Sequence, residues 1–232
     1  MLRATHISTF VALLVSVAPS AHAAEAREGV VVQDPHYGEV LFQFYTEDYF
    51  TALTHLTAYR KTGRVDDHAE EAELLQGGLM LSWGQHKEAG EIFERLLSEG
   101  TDPAVRDRTW FYIGKVRYQR GYLQAAEQAL ESIEGQLPGP LEAERYNLLA
   151  RIYMEQQRFD EAEHLYRADL GLNNDLSRPC QHPGNVWALH GLLECLERRG
   201  ETSETVYVKR QLDPVIARAD VEIGSSCFCR TS

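Results

Sequence analysis

A small residue that recurs at a nearly constant interval is the feature that most constrains this chain. Ala52, Ala89 and Ala126 lie 37 residues apart, and Ala162 follows 36 residues later. Apolar, aromatic and glycine positions recur around these alanines in the same internal order. A period of this length indicates one supersecondary unit that cannot bury its apolar face alone. Neighbouring copies must therefore stack against one another.

The central copy, Arg106–Pro138, gives the internal layout of the unit. Its apolar, aromatic and small residues fall on one helical face, at Trp110, Ile113, Gly114 and Tyr118. A glycine inside a helix indicates close approach of a neighbouring helix, which we expect at Gly114. The pattern predicts a first helix that ends at Gly121 and a second helix that begins near Leu123. We expect Pro138 to stop the second helix, because proline cannot continue the hydrogen-bond ladder.

Four further copies flank the central one, two of them strong and two weak. The strong copies are Glu70–Glu99 and Glu142–Asn174, and the weak copies are Pro35–Arg60 and Asn185–Asp213. The last copy is offset by 43 residues from the one before it, as Ala162 and Thr205 show. The surplus lies in Gly171–Gly184, which is rich in turn-forming residues and predicts a loop.

In these five copies the chain resembles tetratricopeptide-repeat (TPR) proteins. The resemblance implies an all-α, right-handed superhelix of about five antiparallel helix pairs over residues 35–213, with a concave groove lined by the first helix of each pair. The segment that starts at PHYGEVLFQFY is similar to larger exported bacterial repeat proteins. The segment from Tyr166 onward and the tail ARADVEIGSSCFCR resemble the C-terminal part of uncharacterised bacterial and fungal repeat proteins.

The N-terminus has the pattern of an export signal. Arg3 precedes the short apolar run Ile7–Ala18, and Ala21 and Ala23 match the rule for signal peptidase cleavage. We therefore predict a signal peptide at residues 1–23, cleavage after Ala23, a disordered segment at residues 24–34, and a periplasmic or secreted protein. Retention of the segment as a membrane anchor is the alternative, although the run is short for a membrane span.

The charge balance restricts the class of partner. The chain has 23 Lys and Arg against 35 Asp and Glu, a formal net charge of −12. Nucleic acid and anionic membrane surfaces would be repelled by such a protein. The sequence has neither a P-loop nor a G-x-G-x-x-G motif, and it predicts no cofactor.

All four cysteines lie in the last quarter of the chain, at Cys180, Cys195, Cys227 and Cys229. In an oxidising compartment, an even number of cysteines indicates disulfides. Bonds from the tail to Cys180 and Cys195 would fix the loop and residues 214–232 onto the last hairpin. The alternative is a zinc or copper(I) site, or a thiol-redox site, formed by these cysteines with His182.

No catalytic arrangement emerges from the sequence. His190 precedes Cys195 by five residues, and this spacing does not place them on one helical face. Neither G-x-S-x-G nor H-E-x-x-H is present. The sequence therefore predicts a protein that is not an enzyme.

The expected groove contains cationic and polar residues. The repeat register places there Arg108, Phe111, Lys115, Tyr118, Gln119, Asn147, Arg151 and Met154. Such a set can bind a peptide carboxylate or an acidic segment through charge-assisted hydrogen bonds, although intramolecular salt bridges are the simpler interpretation. We predict an interaction scaffold of the bacterial cell envelope that holds a protein or peptide segment in the groove.

A second candidate surface is the aromatic-rich first copy. Its members are Tyr37, Phe42, Phe44, Tyr45, Tyr49 and Phe50. We expect most of them to fill the core of the first helix pair. Any that stay exposed would form a partner site, because exposed apolar patches mark interfaces.

Overall fold

In the computed structural model, residues 32–226 are described, and they form ten α-helices, two 3-10 turns and no strand. The helices are α1 (Pro35–Tyr45), α2 (Tyr49–Lys61), α3 (Ala69–Ser82), α4 (His86–Glu99), α5 (Pro103–Gln119), α6 (Leu123–Glu131), α7 (Gly139–Glu155), α8 (Phe159–Asp169), α9 (Val186–Arg199) and α10 (Thr202–Ile216). The 3-10 turns are Asp66–His68 and Arg178–Cys180. The predicted signal peptide at residues 1–23, most of the 24–34 segment and the end of the tail lie outside the described residues.

The ten helices form five consecutive pairs, each joined by a turn of a few residues. Every pair packs on the next one along the chain. The first helix α5 also contacts the first helices α3 and α7 directly. Within residues 32–226 we find no helix that is both long and apolar enough to cross a membrane. The last helix, α10, ends at Ile216, and Pro214 lies inside it.

The central pair confirms most of its predicted layout. A Cβ atom at Gly114 would lie 2.7 Å from Leu130 Cδ2 on α6, so glycine permits the close approach of the two helices. Gly121 follows α5 with a φ of +79°, in the left-handed region that favours glycine. The prediction for Pro138 was wrong. Helix α6 already ends at Glu131, and Pro138 instead precedes the first residue of α7 as its N-cap.

The core is divided into clusters between neighbouring helices rather than gathered at one centre. Val40, Ala52 and Leu56 belong to a cluster of α1, α2 and α3, whereas Leu192 and Leu196 belong to one formed by α7, α8, α9 and α10. Two further clusters, around Phe93 and around Leu130, lie between them. Each pair therefore depends on its neighbours for burial of its apolar faces.

In each of the first three units, one acidic side chain near the start of the unit binds the loop that leads to the next unit. Asp34 Oδ2 accepts a hydrogen bond from Asp67 N, at 3.0 Å. Glu70, the second residue of α3, accepts hydrogen bonds from Thr101 N and Asp102 N, at 2.9 and 3.1 Å. In the next unit, Asp107 accepts hydrogen bonds from the backbone N–H groups of residues 134 and 135. These contacts set the spacing of successive pairs.

A different residue anchors the long loop before α9. The corresponding position in the third unit is Ala143, and the loop is held instead by Asp169, the last residue of α8. The Asp169 carboxylate is fully buried and accepts hydrogen bonds from His182 Nδ1 (2.8 Å), Asn185 Nδ2 (2.7 Å) and Asn147 Nδ2 (3.1 Å). The surplus residues of the fourth unit are thus tied to α7 and α8 by one side chain.

Candidate partner-binding groove

The first helices α5 and α7 enclose a concave pocket of about 220 Å³. It is lined by Lys115, Tyr118, Gln119, Glu144, Asn147, Leu148 and Arg151. Five of these residues were predicted from the repeat register, which places the outward positions of the first helices on one surface. The two that the sequence analysis missed are Glu144 and Leu148.

Three predicted groove residues do not line this pocket. Arg108 lies outside its lining, and the other two, Phe111 and Met154, are buried. Phe111 has no exposed surface and packs with Leu130 in the core, and Met154 is 2% exposed and packs in the cluster around Leu192. The physical reason is that each inner helix is packed on its own partner and on the pairs before and after it. Side chains on two faces are therefore buried, and the surface left for a partner is narrower than the register predicts.

Ion pairs between neighbouring first helices neutralise most of the groove cations. Arg108 on α5 lies 3.6 Å from Glu71 on α3, and Lys115 Nζ lies 2.6 Å from Glu144 Oε1 on α7. Arg151 is the exception, because it forms no ion pair or hydrogen bond with any of residues 32–226. The salt-bridge interpretation therefore holds for Arg108 and Lys115, while Arg151 keeps an uncompensated charge.

Two tyrosines of the first helices α1 and α5 have raised pKa values. Tyr112 on α5 stacks on Phe93, with ring centroids 5.4 Å apart, and burial raises the pKa of its phenol. Burial also raises the pKa of Tyr37 on α1, and the nearby Glu71 carboxylate adds to this effect. Both side chains remain neutral hydrogen-bonding groups at physiological pH.

A second pocket continues the groove on the far side of α7. It has a volume of about 440 Å³ and is lined by Pro140, Ala143, Glu144, Asn147, Arg151, His182, Asn185 and Trp187. Because Glu144, Asn147 and Arg151 line both pockets, the two form one continuous groove from α5 to α9. The 171–184 loop contributes His182, which was predicted only as part of a metal or thiol-redox site.

The predicted cysteine site is not assembled by the described residues. Cys180 lies beside α7, where a Cβ at Gly139 would be 2.8 Å from its Sγ, and Cys195 lies 3.3 Å from Met154 Sδ in another core cluster. Both side chains are buried, and no disulfide joins Cys180 to Cys195. Cys227 and Cys229 lie outside the described residues.

Metal ligands are likewise not clustered in the part of the chain that the structure describes. Across residues 32–226, no group of three or more His, Cys, Asp or Glu side chains is arranged to hold a metal ion. His182 is directed to Asp169 rather than to Cys180 or Cys195. The alternative prediction of a metal or thiol-redox site therefore gains no support from these residues.

The aromatic residues of the first unit divide between core and surface. Tyr37 is buried and Phe44 is half-buried against the first core cluster. The exposed aromatic residues are Phe42, Tyr45, Tyr49 and Phe50, and Trp83 at the end of α3 lies 6.0 Å from the Phe50 ring. This exposed aromatic surface lies near the α1–α2 turn, separate from the residues that line the two groove pockets.

Comparison with solved structures identifies the fold. MamA from Desulfovibrio magneticus superposes with a TM-score of 0.56 at 14% identity, covering 80% of this chain and 96% of that one. A kinesin light chain protein of Podosopora anserina with nearly identical TPR-like repeats gives 0.54 at 17%, over 81% and 96%. YrrB, described as a TPR protein with an unusual peptide-binding site, gives 0.52 at 15%, over 79% and 86%.

These similarities confirm the predicted all-α, TPR-like right-handed superhelix of five antiparallel helix pairs. No family profile matches the chain, and no curated protein is significantly similar to it in sequence.

Proposed function

We propose that this protein is a non-enzymatic interaction scaffold that binds an extended segment of a partner protein in the groove between α5 and α9. The observation that supports the proposal is the continuity of the two pockets through Asn147 and Arg151. Such a groove presents hydrogen-bonding side chains and one uncompensated cation along a single concave surface. An acidic or carboxylate-bearing segment fits this chemistry.

We also propose that the protein is exported and acts in the bacterial cell envelope. The support is the apolar run at Ile7–Ala18 followed by the cleavage pattern at Ala21 and Ala23. N-terminal sequencing of the protein recovered from fractionated cells tests this part, and we expect mature chains that begin at Ala24. A mature protein that retains residues 1–23 would instead indicate a membrane anchor.

A photo-crosslinking amino acid at Gln119 tests the groove directly. Gln119 is exposed and lines the first pocket, whereas Arg210 on α10 is exposed and lines neither groove pocket. We expect a partner from the native host to crosslink from position 119 and not from position 210. The crosslinked segment, identified by mass spectrometry and synthesised, is then measured for direct binding.

A matched pair of charge reversals makes the binding measurement specific. Lys115→Glu breaks the pair with Glu144 in the groove, and Lys209→Glu breaks a pair of similar length (2.7 Å) with Glu197 between α9 and α10. We expect the first to weaken binding of the synthesised segment roughly tenfold and the second to leave it unchanged. Equal affinity of both variants and the wild type would contradict the proposed function.

A further inference from the structure

We infer that the pocket between α7, the 171–184 loop and α9 is an oxyanion subsite, in which Arg151 and His182 bind a carboxylate or phosphate group of the partner segment. The inference rests on the proposed function, because it names the chemistry recognised at one end of the groove. It adds a loop residue, His182, that lies outside the repeat register.

The repeat register explains why Arg151 has no anionic partner. Lys115 on α5 pairs with Glu144 on α7, and Arg151 occupies on α7 the place that Lys115 occupies on α5. The residue of α9 that corresponds to Glu144, 43 positions later, is Trp187. An indole thus lies at the α9 position that is equivalent to Glu144 on α7. The guanidinium keeps its donors for a ligand.

His182 is held with one ring nitrogen on a buried carboxylate. Its Nδ1 lies 2.8 Å from Asp169 Oδ1, and because a carboxylate only accepts, Nδ1 carries the proton of this hydrogen bond. Within residues 32–226, Nε2 has no hydrogen-bond partner, and the ring is half-exposed in the pocket lining. When the ring carries both protons, Nδ1–H donates to Asp169 and Nε2–H is left to donate to an anion.

The charges that face His182 favour an anion. From α7 it faces Arg151 and Glu144, and the carboxylate of Glu144 is already engaged with Lys115. From α8 it faces Asp169, which is fully buried and out of reach of a ligand. From α9 it faces only Asn185 and Trp187, which are uncharged. An incoming oxyanion therefore meets the Arg151 guanidinium, the ring of His182 and no uncompensated, accessible carboxylate.

Proton linkage follows from this arrangement. An anion that accepts a hydrogen bond from Nε2–H binds the imidazolium form of His182 and not the neutral form. Affinity is therefore expected to fall when the pH is raised, because only the doubly protonated ring can donate from Nε2 while Nδ1 donates to Asp169. A residue with only a structural role would not confer this dependence.

The test uses three small probes: benzoate, phenyl phosphate and the neutral analogue benzamide. Binding is followed by NMR through the His182 imidazole and Trp187 indole resonances of the full-length protein. We expect both anions, and not benzamide, to shift these resonances, and tighter binding of one anion distinguishes a carboxylate source from a phosphate source. Arg151→Gln should weaken binding about tenfold or more, through loss of a charge-assisted interaction.

Two further variants separate charge from structure. His182→Gln keeps an amide donor for Asp169 and should abolish the pH dependence, whereas Arg210→Gln removes an exposed charge on α10 and should change nothing. No resonance shift with either anion, or equal binding by wild type and Arg151→Gln, would overturn the inference.

Failure of the subsite and failure of the proposed function can be told apart. Loss of groove crosslinking with intact anion binding would remove the proposed function and leave the subsite. Groove-dependent capture of a partner, without anion binding at His182 and Trp187, would remove the subsite and leave the proposed function.

Discussion

At the scale of single residues, some helices pack so closely in the core that only glycine fits at the point of contact. Gly191 on α9 is such a position, because a Cβ atom there would lie 2.3 Å from Cζ of Tyr166. Tyr166 on α8 is among the largest fully buried side chains, and its ring cannot move without opening the cluster around Leu192. The packing of α9 on α8 therefore requires a residue without a Cβ atom at position 191.

We expect Gly191→Ala to lower the free energy of unfolding by about 1–3 kcal/mol, because the added methyl overlaps the Tyr166 ring. The matched control is Gly90→Ala on α4, where a Cβ would meet no atom within 4 Å. There, alanine should stabilise the protein by roughly 0.5–1 kcal/mol through its higher helix propensity. Urea denaturation of both variants checks the signs, and a stabilising Gly191→Ala would contradict the packing described for α9.

The same scale shows which parts of the groove the sequence could predict. Lys115, Asn147 and Arg151 were found because a helical register tells which residues share a face. Phe111 and Met154 were misplaced because that register does not tell how many faces of an inner helix are covered. The contact of Asp169 with His182 was not predictable from periodicity, since the loop between them has none. In contrast, the 43-residue offset is enough to show that Trp187 on α9 is equivalent to Glu144 on α7.

At the scale of elements, the acidic residue that begins a unit acts on the helix after next. Glu70 on α3 binds the backbone at Thr101 and Asp102, and Asp102 in turn caps α5 by accepting a hydrogen bond from Ala104 N at 2.8 Å. The backbone N–H groups that donate to Glu70 lower the pKa of its carboxyl. Periodicity predicted the helices α3 and α5, but not this connection, which depends on a side chain outside the apolar pattern.

We expect Glu70→Gln to destabilise the protein at neutral pH and to have little effect in acid. The pKa of Glu70 is lower in the folded state than its ordinary value of 4.5, so the ionised carboxylate stabilises the fold at any pH above 4.5. This contribution is lost as the pH falls through the lowered pKa. Urea denaturation of wild type and variant from neutral pH to well below 4.5 measures the difference. A difference that persists unchanged in acid would show that Glu70 acts through something other than its charge.

At the scale of the whole molecule, the described residues have several small cores and no central one. The 37-residue spacing predicted the stack of pairs, and its length is confirmed by the five pairs between Pro35 and Ile216. The spacing could not predict that α7 contacts the 3-10 turn Arg178–Cys180 beside it, because that turn belongs to the insertion and has no counterpart in other units. Stability in such a stack is a sum of local terms and interface terms.

We expect Leu192→Ala, in the last cluster, to cost about 2–5 kcal/mol and to act locally. Hydrogen exchange should lose protection in α9 and α10 first, while α1 and α2 keep theirs. Leu56→Ala, in the first cluster, should give the reverse pattern. Uniform loss of protection over all ten helices in either variant would show that the stack unfolds as one cooperative unit.

Contact between neighbours alone also has a mechanical consequence. The five helix pairs are connected through four interfaces, which act as joints. Small rotations at each joint add up and change the curvature of the concave side. The joint between α8 and α9 is stiffened by the two side-chain hydrogen bonds that His182 and Asn185 donate to Asp169. A bending load would therefore be taken up mainly at the joints before α7, where the curvature changes while the geometry around Arg151 and His182 is kept.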